Sequence, residues 1–173
     1  FDVLPRVRTR NLGNLLGLEA CDLGQCPTHW QYSLYPASYR QMLRVIHEGI
    51  DTDLVCPDAA AKFSVPGSRG AGGEVAPIEI RAGDEIVTYV ARNLEPYRGF
   101  PSFMRSLPAI LQARPNARVL IVGGDGVSYG DKPKNARTYR QQVLAELGDS
   151  LDLSRVHFLG KVPYPQFLKL LQV

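Results

Sequence analysis

Apolar positions follow two different periods along the chain, and each change of period marks an element. Residues 86–90, Ile-Val-Thr-Tyr-Val, are β-branched and aromatic and predict a buried strand. Apolar residues then recur at 100, 103, 104, 107, 110 and 111, which is helical spacing and predicts a helix over 100–113. After Arg118 comes an unbroken apolar run, Val-Leu-Ile-Val, as expected of a strand over 118–122 covered on both faces. A loop over 123–135 precedes a helix over 136–147, whose apolar side carries Val143, Leu144 and Leu147. A strand over 155–159 and a helix over 164–172, with Phe167, Leu168, Leu170 and Leu171 apolar, complete the series. The order βαβαβα with short connections predicts parallel strands and right-handed crossovers, an α/β, Rossmann-like parallel sheet.

The pattern before residue 85 is less regular. Residues 6–20 predict a helix with leucines at 12, 15, 16 and 18, interrupted by two glycines. A short strand or turn over 22–27 leads to Thr28, a candidate cap for a helix that Tyr35-Pro36 ends. Leu43-Arg-Val-Ile46 predicts a short strand. Residues 59–65 predict a helix end and a strand, and 63–65 can pair with 78–80 as a hairpin. The Gly-rich stretch 66–77 between them predicts a flexible loop. It lacks the strand, lysine and helix of a phosphate loop. The expected division is 1–53 as the tail and hinge of a first domain, 54–84 as a linker with the hairpin, and 85–173 as an α/β domain.

Composition narrows the function classes. At 45% hydrophobic and 21% charged, the chain can bury a core. A net charge of +3 is too small to argue for nucleic acid or an anionic membrane. Cysteines 21, 26 and 56 lack the spacing of a zinc site, and reduced structural thiols in a cytoplasmic protein are the expectation. No apolar run approaches membrane length, so membrane contact is expected to be peripheral at most. Phe1 implies a chain cut or processed at its start. His47, with no nucleophile or carboxylate near it in sequence, reads as packing rather than as a base.

The candidate chemistry lies where strands end. Between the strand at 86–90 and the next helix lies Arg92-Asn-Leu-Glu-Pro-Tyr-Arg98-Gly99. A strand, a cationic Gly-containing loop and a helix start form a unit that holds phosphate, because the free N–H groups of the helix face the loop. Gly123-Gly124-Asp-Gly126 ends the second strand, where ligands bind in open sheets. It departs from a dinucleotide fingerprint: Tyr129 stands where the third glycine belongs, and no acidic residue ends the next strand. No nicotinamide or flavin cofactor is therefore expected. Lys132, Lys134, Arg137 and Arg140 make 124–140 a basic loop, and Lys161 follows the third strand.

Val87-Thr-Tyr-Val-Ala-Arg-Asn-Leu-Glu-Pro-Tyr-Arg-Gly-Phe100 resembles the opening of the donor-binding domain of family-4 glycosyltransferases with the GT-B fold, whose loop reads roughly Gly-Arg-Leu-x-Pro-Glu-Lys-Gly. Arg118-Val-Leu-Ile-Val-Gly-Gly-Asp-Gly126, Arg155-Val-His-Phe-Leu-Gly160, and the segment from Pro27 to Asp53 agree with that family in order and spacing. The resemblance implies transfer of a sugar from a nucleoside diphosphate sugar to a saccharide or lipid-linked acceptor, with retention and without an obligatory metal. Arg98 takes the place of the diphosphate-contacting lysine. Either Arg92 or Asn93 stands in for the family's arginine. Gly99, Gly123, Gly124 and Lys161 fall on the donor side, while the catalytic residues are not identified. The family's Glu-x7-Glu element has no counterpart here, so the chain is expected to be a fragment of the transferase and inactive alone. A nucleotide-sugar epimerase of the same architecture and a non-catalytic Rossmann-like assembly module fit the same layout.

Overall fold

The computed structural model describes residues 4–67, 69–70, 73–74 and 76–173. The chain forms two compact units, Phe1–Leu54 and Val55–Val173.

In the first unit, α1 spans Leu4–Ala20, β1 Gly24–Cys26, α2 His29–Leu34, α3 Ala37–Arg40 and β2 Leu43–Val45. β1 and β2 pair in parallel, with Gly24 opposite Leu43. Thr28 caps α2 as the sequence predicts, its Oγ1 accepting from the Gln31 amide at 3.1 Å. The single turn of α3 after Pro36 was not expected; Arg40 secures it by donating to the carbonyls of Tyr35 (2.9 Å) and Ser33 (2.6 Å). Cys26 and Leu43 are the buried apolar side chains described in this unit, and α1 buries none, leaving Leu12 and Leu16 exposed.

In the second unit, β3 (Lys62–Val65) pairs antiparallel with β6 (Ile78–Arg81), placing Phe63 opposite Ile80 as the hairpin prediction requires. Between them β4 (Arg69–Gly70) and β5 (Gly73–Glu74) form a further antiparallel pair inside the expected loop. Positions 68, 71, 72 and 75 of that loop lie outside the described residues. The helix end expected before β3 is instead a turn over 58–61, in which Asp58 accepts from Ala60 and Ala61.

The parallel sheet has the order β7–β8–β9, with β7 at Ile86–Asn93, β8 at Arg118–Gly124 and β9 at Val156–Gly160. α4 (Phe100–Ala113), α5 (Tyr139–Leu147) and α6 (Tyr164–Gln172) connect or follow the strands. The side chains of β8 alternate faces, so both faces are covered. Val119 and Ile121 pack with Phe100, Met104, Leu107 and Leu111 of α4 and Val143 of α5. Leu120 and Val122 pack with Phe63, Val65 and Ile80 of the hairpin and Leu170 of α6. α5 begins at Tyr139 rather than 136, because Thr138 caps it by accepting from the Gln141 amide at 3.1 Å. The carboxyl end of α4 is closed from outside the helix. The Arg155 guanidinium donates to the carbonyls of Leu111, Arg114 and Pro115 at 2.8–3.2 Å.

Candidate functional site

Both strand pairings slip at their carboxyl ends. Val90 pairs with Val122 and Asn93 with Gly124, so β7 carries one residue more than β8. Ile121 pairs with Phe158 and Val122 with Gly160, so β9 also carries an extra residue. Bulges of this kind turn side chains out of the regular alternation. Here both occur at the edge where the candidate residues lie.

Three of those residues converge. Asn93 at the end of β7 donates from Nδ2 to Ser128 Oγ at 2.7 Å. A Cβ on Gly124 would lie 3.0 Å from Asn93 Oδ1 and 2.9 Å from Lys161 Cε, so these side chains flank the bare backbone of Gly124. Gly123 is bare for another reason: its Cβ would meet the Ala91 carbonyl oxygen and Leu94 Cδ2, both at 2.8 Å. That glycine allows β8 to approach β7.

Arg98 lies on the following turn. Pro96–Arg98 form a short 3-10 turn, and Gly99 ends it with φ 77°, a left-handed conformation that suits glycine, before α4 starts. The exposed Arg98 guanidinium sits over the Tyr129 ring at 5.8 Å, and the Tyr97 ring lies 5.3 Å from the same ring. Below the turn, the Tyr89 hydroxyl donates to the Arg98 carbonyl at 3.0 Å, with its ring stacked on Phe103. Burial pushes the Tyr89 phenol above its ordinary range; the charge of Arg98 pulls the other way and that of Glu95 adds to the rise. Arg92 is exposed on β7, and its carbonyl, rather than its side chain, faces Gly124.

Glu95 escaped the sequence reading. It is a charged side chain with no exposed surface. Its Oε2 accepts the amides of Ser128 at 2.5 Å and Tyr129 at 3.2 Å, pinning the loop after β8. Its place directly before Pro96, in a turn otherwise read for cations, was the available signal. Asp125 is held too: Arg140 pairs with it at 2.6 Å and also lies over the Phe158 ring. Lys132 and Lys134 line a separate depression of about 460 Å³ with Tyr97, Tyr129 and Tyr139. A larger hollow of about 880 Å³ lies at the opposite, amino end of the strands, among Ile86, Arg118 and Arg155. Ligands of open parallel sheets bind at carboxyl ends, and there the large hollow has no share.

The arrangement presents the cations Arg98 and Lys161 and the amide Asn93, with half-buried Gly124 and exposed Gly126, at the carboxyl ends of the strands. Such groups suit an anion with several oxygens. Among the described residues no three His, Cys, Asp or Glu side chains gather as a metal site, and no helix is long and apolar enough to cross a membrane. No disulfide joins the cysteines: Cys26 is buried, Cys21 half-buried, and Cys56 exposed rather than packed in a core.

Residues 1–55 match the family model described as Glycosyl transferase family 4 group. No curated protein matches the chain. The family match supports a glycosyltransferase, acting on a sugar donor and an acceptor.

Proposed function

We propose that the chain is part of a retaining glycosyltransferase whose donor is a nucleoside diphosphate sugar, and that the carboxyl edge of β7–β8–β9 holds the donor diphosphate. The leaving diphosphate gains negative charge as the glycosidic bond breaks. A guanidinium at Arg98 stabilises that charge through a planar, permanently charged fork. Lys161 adds a second cation, and Asn93 supplies an amide on the other side of Gly124. Gly124 lets a phosphate come close to the main chain.

The observation that carries this reading is the convergence of Asn93, Gly124 and Lys161 beside the Arg98 turn. It is independent of the family match, which ends at residue 55, more than thirty residues before these groups.

The test is a thermal-shift and calorimetric series on the full chain with nucleoside mono- and diphosphates of several bases. Binding that strengthens from mono- to diphosphate supports the reading. Failure of every diphosphate to bind, by a chain that unfolds cooperatively, refutes it.

A further inference from the structure

We infer that Glu95 is the positioning residue of this site, setting where the Arg98 guanidinium points by fixing it against Tyr129. This rests on the donor-site reading above.

Burying a carboxylate is costly unless hydrogen bonds offset the lost hydration. Glu95 is nonetheless completely buried. Its two ends serve two segments. The backbone carbonyl accepts the amides of Arg98 (3.2 Å) and Phe100 (3.4 Å), closing the turn that carries the cation. The carboxylate accepts the amides of Ser128 and Tyr129, holding the loop that carries the ring under that cation. The Arg98 Cζ to Tyr129 distance of 5.8 Å is thus set from both sides by one residue. The second oxygen, Oε1, is buried with no hydrogen-bond partner among the described residues. An apolar side chain there would leave the Ser128 and Tyr129 amides without their acceptor, so the carboxylate holds the loop in place despite its one unmatched oxygen.

Glu95→Gln separates these roles. A glutamine offers one acceptor oxygen, and its NH2 must either face the two amides or occupy the Oε1 position without an acceptor. Three results are expected. Amide hydrogen exchange at Ser128 and Tyr129 accelerates. Nucleoside diphosphate affinity falls about tenfold, the worth of a charge-assisted contact. Glu95→Gln added to Arg98→Ala costs little more, because the group being positioned is already gone. Tyr129→Leu leaves Glu95 and both amides intact, so it serves if Glu95→Gln does not fold. It should also weaken diphosphate binding severalfold.

Faster exchange with unchanged affinity, while Arg98→Ala weakens binding, leaves Glu95 as a structural group only and overturns the proposal. Full additivity of Glu95→Gln and Arg98→Ala, or full affinity in Tyr129→Leu, does the same. An Arg98→Ala variant that binds as well as wild type removes the donor-site reading itself, and the proposal with it.

Discussion

Adjacent glycines at 123 and 124 should respond very differently to alanine. At 123 the new Cβ would lie 2.8 Å from the Ala91 carbonyl oxygen and 2.8 Å from Leu94 Cδ2, where ordinary contact begins at 3.4 Å. The first neighbour is main chain of β7. The second belongs to a core residue only 2% exposed, whose amide donates to the Gly124 carbonyl at 2.8 Å. Neither can rotate away, so the strand ends must part by several tenths of an ångström. Overpacking of this kind costs about 1–3 kcal/mol. At 124 the neighbours are Lys161 Cε and Asn93 Oδ1, both side-chain atoms, one at the end of a flexible chain. Gly124→Ala should therefore cost less than about 1 kcal/mol of stability, as a substitution that side chains can accommodate. Its effect should appear in diphosphate affinity instead. Urea unfolding followed by far-ultraviolet circular dichroism measures the first quantity, with the m-value held as the check on two-state behaviour. Equal midpoints for wild type and Gly123→Ala, or a larger loss at 124 than at 123, would refute the argument.

Two other substitutions test the support of the sheet. Arg155→Ala removes the donors to three carbonyls at the end of α4 and should cost about 1–3 kcal/mol in urea unfolding. Arg155→Lys should not restore it, because an ammonium lacks the fork that reaches several acceptors at once. His157 has its pKa lowered by burial, and then by the charge of Arg118, so the folded state resists its protonation. The sign follows: its contribution is present above the unfolded imidazole value of about 6.5 and is lost as pH falls below it. Replacing His157 with glutamine should flatten stability against pH below about 6.5; an unchanged slope would show that other groups set it.

Periodicity read the second unit well because its elements are long and their burial is regular. The continuous run Val119–Val122 is buried on both faces, and α4 places Phe100, Met104, Leu107 and Leu111 inward at helical spacing. Both helix starts at Thr28 and Thr138 are fixed by one hydroxyl each. α3 has a single turn, too short for any period to register. The leucines at 12, 15, 16 and 18 lie on the predicted helix α1, yet none is buried in its unit. At the site, Arg98 and Lys161 were legible as cations beside glycines. Glu95 was not, since its role depends on Ser128 and Tyr129, which are local neighbours only after β8 lies beside β7. The bulges that aim Asn93 leave no mark in composition or period.

The most direct test of the account is the affinity of the full chain for a nucleoside diphosphate, measured calorimetrically before and after Arg98→Ala. The account predicts a loss of about 1.5–3 kcal/mol, roughly tenfold or more, as for a charge-assisted hydrogen bond. Equal affinity in the two proteins would contradict it.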